Sequence, residues 1–175
     1  MQASTAPKIR VWTWLLAAGM AWAAGYVYNV YLGGETRWLK DLYEKKVVAA
    51  EAIETPKLLV TGGSGAHYTI NSEILAAAVE RPVVNFGIDG PVGLDIILPA
   101  ALEQVEAGDI VLLVPEYLIL LDEDGLGDRA GPFAIATGQG LSQFPPKQLA
   151  RDALGVGVPS LRALVKSTCD LIRFG

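Results

Sequence analysis

Leu58-Leu59-Val60-Thr61-Gly62-Gly63-Ser64-Gly65-Ala66-His67-Tyr68 is the stretch on which the fold turns. A short apolar run stops at two glycines, and a serine opens the segment that follows. The pattern is that of a buried strand ending in a tight turn that starts a helix. In an open parallel sheet such a turn lies at the carboxyl edge, where ligands bind, and carries Ser64 there. Glycine lets the backbone turn sharply and come close to a ligand, and a helix N-terminus favours negative charge. Three roles fit: Ser64 as a nucleophile, the turn as a phosphate cradle, or a turn with no chemistry.

Working outward, residues 71–80 (NSEILAAAVE) have helical spacing, with Ile74, Leu75, Ala78 and Val79 on the face expected to be buried. Arg81-Pro82 ends that helix, and Val83 to Phe86 reads as a second strand followed by Gly87, Gly90 and Gly93. Leu94 to Ala107 is a second helix with a kink expected at Pro99, and Ile110 to Val114 is a third strand. Strands alternating with helices predict an α/β fold with a parallel sheet covered on both faces. Three strands make a short sheet, so an incomplete three-layer, flavodoxin-like α/β domain is expected. After Pro115 the pattern weakens. Leu118 to Leu121 either extends the third strand or begins a turn, and residues 122–146 have loop composition. Helical pieces are expected over 146–154 and 159–171.

The second strand bears on what Ser64 does. Val83-Val84-Asn85-Phe86-Gly87-Ile88-Asp89-Gly90 brings Asn85 and Gly87 to the same edge. A backbone N–H from Gly87 would suit an oxyanion. Asp89 and Glu116 are the acids nearest that edge, read as solvated or as orienting a polar group.

With these residues in view, the chain resembles the SGNH/GDSL hydrolase superfamily, in particular its membrane-anchored bacterial branch of exopolysaccharide O-acetyltransferase-like proteins. The resemblance spans residues 57–117 and rests on Gly62-Gly63-Ser64 for the nucleophile turn and on Gly87 in NFGIDG for the oxyanion glycine. It implies an esterase or carbohydrate O-acyltransferase in which Ser64 attacks an acyl group. The sequence departs from the family pattern at three places. The usual Asp after the first glycine is Gly63, and the third block has Val114-Pro115-Glu116-Tyr117 where Gly-x-Asn-Asp is usual. The C-terminal Asp and His are missing too, since no histidine follows His67. A serine without a base is a poor nucleophile. The chain therefore reads as the front half of such a domain, degenerate or incomplete as an enzyme.

His67 shares a helix face with Ser64 at i+3, but catalytic bases mostly arrive from distant loops, so a histidine lining the cleft is the plainer reading. A non-catalytic accessory subunit of a membrane complex is the alternative function. A dinucleotide-binding Rossmann-like protein is a second: Thr61 to Gly65 suits it, but Tyr68 stands where its third glycine belongs and Asn85 where its acid belongs.

Val11 to Gly34 holds no charge over 24 residues, which at about 1.5 Å each exceeds a bilayer core of roughly 30 Å. Trp12 and Trp14 stand near one end and Tyr26, Tyr28 and Tyr31 near the other, like two interfacial belts. A cleaved signal peptide ending at Ala21-Trp22-Ala23 and a buried core helix are the competing readings. The expected organisation is a tail (1–10), a transmembrane helix (11–34), a helical neck lifting the domain off the bilayer (35–56), the half-domain (57–121) and a loop-rich extension (122–175). A single-pass membrane protein follows, its domain expected on the extracytoplasmic side although Lys and Arg counts do not fix the orientation. The lipid bilayer is the expected partner, with a membrane complex or a polysaccharide or acyl substrate beside it.

Composition agrees. The 175 residues carry 14 Lys+Arg and 19 Asp+Glu, a net charge of -5, which argues against a nucleic-acid partner. The lone Cys169 excludes an internal disulfide and reads as apolar filler. With one histidine as well, neither a metal nor a cofactor is expected.

Overall fold

The computed structural model describes residues 6–54, 56–117, 119–121 and 125–158, together with positions 165, 169 and 172. Among them the chain is mixed α/β, with seven α-helices and three strands.

Helix α1 (Ala6–Val27) continues through a π-helical turn (Tyr28–Leu32) and breaks at Gly33-Gly34, where α2 (Glu35–Glu51) begins. The apolar stretch Val11–Leu32 is long enough to cross a bilayer and is almost wholly exposed in the isolated chain. Its last turns differ from the rest: Val30 is 1% exposed and belongs to the folded domain.

Helix α2 does not stand apart as a neck. Leu39, Tyr43 and Ala50 recur on one face and are buried in the main core, with Leu42 and Val47 packed beside them. The Tyr43 ring meets Phe86 and Phe133 edge-on, at 5.9 and 5.4 Å between centroids. Burial, with Glu103 and Glu51 nearby, pushes the Tyr43 hydroxyl up to about 12. The outer face carries Arg37–Asp41 and Lys40–Glu44 pairs at i,i+4, which contribute little where exposed.

Strands β1 (Leu58–Gly62), β2 (Val83–Asn85) and β3 (Ile110–Val114) form one parallel sheet in the order β2-β1-β3. Leu58 pairs with Val83 on one side and Ile110 on the other. Helices α3 (Ser64–Thr69) and α4 (Ser72–Val79) join β1 to β2, and α5 (Leu94–Leu102) lies between β2 and β3. Asn71 caps α4, its Oδ1 accepting from Glu73 N and Ile74 N.

Because strand side chains alternate, β1 feeds two clusters. Leu59 joins the larger one with Phe86, Ile96, Ile97 and the α2 residues, while Leu58 and Val60 join a small one with Ala66. Helices α6 (Ala130–Thr137) and α7 (Pro146–Val156) follow, and Ala130, Phe133 and Ala134 of α6 belong to the larger cluster. The neck, the half-domain and part of the loop-rich extension thus share one core.

Three expectations are corrected here. Helix α4 has no buried residue, since Ile74 and Val79 face outward. The sheet is not covered throughout: Ile110 to Leu113 of β3 are all exposed, while all of β1 is buried. Cys169 is exposed, not filler. The third strand ends at Val114 and Ile119–Leu121 is a separate 3-10 turn, while the helix expected over 159–171 lies outside the described residues except at positions 165 and 169, which are helical.

At the amino edge of the sheet, Lys57 and Asp109 form an ion pair of 3.0 Å with side chains 3% and 1% exposed. Asp109 also accepts from Lys57 N and Glu106 N. Desolvation works against its negative charge, but these hydrogen bonds and the Lys57 ammonium outweigh it, so its carboxyl titrates below the usual carboxylate range.

Candidate functional site

The carboxyl edge of the sheet is where the sequence-predicted residues collect. Ser64 begins α3 directly after the β1 turn and lines a cleft of about 460 Å³ with Gly90, Glu116, Ile119, Leu121 and Asp128. Its Oγ lies 3.5 Å from Asp89 Oδ1 and accepts from Gly90 N at 3.4 Å. Both contacts are long for hydrogen bonds. Asp89, 7% exposed, is held from its other side by Arg129 Nη1 at 2.6 Å. The same guanidinium reaches Glu35 Oε1 at 2.5 Å. A chain of polar contacts therefore runs from Ser64 through Asp89 and Arg129 to the first residue of α2, three positions past the end of the Val11–Leu32 stretch. Beside it, a second cavity of about 220 Å³ is lined by Asn29, Glu35, Arg129 and Val156 and shares Asp128 with the serine cleft.

Glu116 fills the turn. Its carboxylate accepts from Gly63 N at 3.1 Å and from Gly65 N. These backbone N–H groups form the concavity that an anion or an oxyanion would use, and an internal carboxylate already satisfies them. Gly63 follows from this arrangement. A Cβ at that position would run into the Glu116 carboxylate and stand 2.6 Å from Gly90 Cα. The side chain expected after the first glycine therefore has no room.

Gly87 and Asn85 are bonded to each other, and among the described residues neither makes a hydrogen bond to the serine side chain. Gly87 N donates to Asn85 Oδ1 at 3.0 Å, so the N–H foreseen for an oxyanion is already engaged. Gly90 N is the backbone donor that faces Ser64. Asn85 Nδ2 donates to the carbonyls of Ala66 and Ile70 at 2.9 Å each and ties the end of α3 to β2. Lys46 of α2 completes the clamp, its Nζ donating to Asn85 O at 2.6 Å. Burial lowers the Lys46 ammonium to about 8.

His67 makes no hydrogen bond with Ser64 among the described residues. Among the described residues its Nδ1 is buried without a hydrogen-bond partner, and its ring lies 4.4 Å from that of Tyr68. Burial first, then the Lys46 charge, lowers its pKa against the opposing pull of Asp89. An imidazole held neutral has the form of a base, but it is not positioned on the serine.

Sequence reasoning missed Lys46, Glu35 and Arg129. No local pattern marks them: two lie on the supposed neck and one in a stretch of loop composition. The signal for Glu116 was its place directly after the third strand. Among the described residues no group of His, Cys, Asp and Glu could hold a metal. Comparison with known protein families, curated proteins and solved structures gives no match.

Proposed function

We propose that the chain is the membrane-tethered, serine-bearing part of an SGNH-like domain that works in ester hydrolysis or carbohydrate O-acyl transfer on the extracytoplasmic side. On its own it is catalytically silent. The observation that carries this reading is the place of Ser64, at the carboxyl edge of a parallel sheet, in a cleft, with a backbone N–H and a carboxylate at its Oγ. In the reaction Ser64 Oγ bonds to the acyl carbon and the substrate's ester C–O bond breaks. The Oγ proton passes through a base to the leaving alcohol, and the acyl group then moves to water or to a sugar hydroxyl. The base comes from further polypeptide seated against the open β3 edge. Gly90 N, and the turn N–H groups once Glu116 is displaced, would hold the oxyanion.

A non-catalytic accessory subunit is the second reading, favoured by Glu116 in the donor cradle. The same contact weighs against a dinucleotide, whose pyrophosphate needs those N–H groups.

Labelling with a fluorophosphonate probe separates these readings. Native membranes are expected to give a labelled band that Ser64→Ala abolishes, while the purified chain gives none. Native membranes without Ser64-dependent labelling would leave the accessory reading standing. Labelling of the purified chain would overturn the claim that it is silent alone.

A further inference from the structure

Helix α7 meets α1 inside the apolar stretch, not beyond it. Trp22 Nε1 donates to Leu154 O at 3.0 Å and Asn29 Nδ2 donates to Val156 O at 3.1 Å. Val158 N donates to Gly155 O at 3.0 Å, so three successive carbonyls at the end of α7 are paired. Helix ends in water leave such carbonyls to solvent. In a bilayer every backbone polar group needs an internal partner, and here Trp22 of α1 and Asn29 of the π-helical turn supply two of them from their side chains. Gly157 permits the approach, since a Cβ there would strike the Trp22 ring.

Depth follows from spacing. Trp22 lies ten residues before Leu32, the end of the apolar stretch, which is about 15 Å of helix. Asn29 lies only three residues before Leu32, about 4–5 Å of helix, so the turn of α7 that both side chains reach sits between those two depths, in the outer part of the core. The outward surface of α7 is graded to match. Leu154 and Val158, at the deep end, are 65% and 70% exposed with no protein cover among the described residues. Lys147 and Arg151 are exposed nearer the start of the helix, where long cationic side chains reach headgroups.

We infer that α7 is an interfacial membrane helix, whose last turn and Val158 enter the headgroup–acyl boundary of the bilayer that α1 spans. The domain then rests on the membrane instead of standing off it. This rests on the reading of Val11–Leu32 as a membrane span. The occupant of the exposed Leu154–Val158 surface is phospholipid, because the surface continues that of α1 and ends in the cationic belt that headgroups favour.

The test uses the full chain, with Cys169→Ser, in vesicles of phosphatidylcholine and phosphatidylglycerol. Single cysteines replace Leu16, Ile74, Lys147, Leu154 and Val158 in turn, all exposed positions where a spin label fits. Collisions with dissolved oxygen, enriched in lipid, are compared with collisions with a water-soluble nickel chelate. Labels at 154 and 158 are expected to show an oxygen-to-nickel ratio several-fold above that at 74, approaching that at 16, with 147 aqueous. A ratio at 154 and 158 equal to that at 74, while 16 stays lipid-like, overturns the inference and leaves the span intact. An aqueous label at 16 overturns the span reading itself, and the inference with it. Low access to both reagents at 154 and 158 means that a protein partner covers them, and also overturns it.

Discussion

Strands β1 and β3 lie side by side in parallel and use almost the same residues, LLVTG and IVLLV, yet they meet opposite surroundings. Leu59 and Val60 are fully buried, while Ile110 and Leu112 are 51% and 40% exposed. What separates them is coverage. The crossover helices α3 and α5 pack on β1, and among the described residues no helix packs on β3 to a like extent. Natural edge strands carry charges, prolines or bulges that discourage pairing, and β3 has none of these between Ile110 and Val114. Its composition is that of an interior strand, which is why its open edge bears on the proposed function.

The largest effect that sharpens this comparison is a matched pair of truncations. Leu59→Ala empties a packed site and is expected to cost about 3 kcal/mol. Leu112→Ala removes surface already in contact with solvent and is expected to cost under about 1 kcal/mol. Denaturant titration of the detergent-solubilised chain measures both. Equal costs would break the contrast and mean that β3 is covered in solution.

Next in size is the ion pair where both strands begin. Removing the charge of Asp109 leaves the buried Lys57 ammonium unpaired and weakens two backbone hydrogen bonds. Asp109→Asn is expected to cost about 2–3 kcal/mol at neutral pH. The sign with pH follows from the depressed carboxyl. Its folded-state pKa lies below its unfolded value of about 3.9, so the stabilisation is complete above that value and is lost as pH falls through the folded pKa. The gap in Tm between wild type and variant should therefore narrow below pH about 4. A gap that stays constant to pH 2 would show that the carboxylate charge contributes nothing.

Local pattern carried some features to the reader and not others. The three strands, the glycine turn with Ser64 at the carboxyl edge, and α2 and α4 as helices were legible, because period, proline and glycine act within a few residues. Burial was not legible, as α4 shows: Ile74 and Val79 have core spacing but look outward. The role of α2 was hidden for the same reason. An amphipathic helix shows that it has an apolar face, and the sequence does not say that the face meets Phe86 and Phe133. At the site, the place of Ser64 at the carboxyl edge was legible, and the partner of the Gly87 N–H was not. Asn85 captures the Gly87 N–H, and the loop runs on to present Gly90 instead. The Glu35–Arg129–Asp89 link joins residues up to 94 positions apart, which no spacing rule reaches.

The smallest test compares two residues paired in register, Thr61 of β1 and Leu113 of β3. Thr61 is fully buried, and its Oγ1 has no hydrogen-bond partner among the described residues. A hydroxyl taken from water and left unpaired costs free energy, whereas an isosteric methyl in its place does not. Thr61→Val is therefore expected to stabilise by up to about 1 kcal/mol, read as a small rise in Tm. Leu113→Thr, the reverse exchange on the exposed strand, is expected to change Tm little, because solvent already reaches that side chain. Destabilisation by Thr61→Val would mean that Oγ1 has a partner in solution. Thr61 directly precedes the Gly62-Gly63 turn, so that partner would sit beneath the serine cleft, and the contrast between a sealed β1 and an open β3 would have to be redrawn around it.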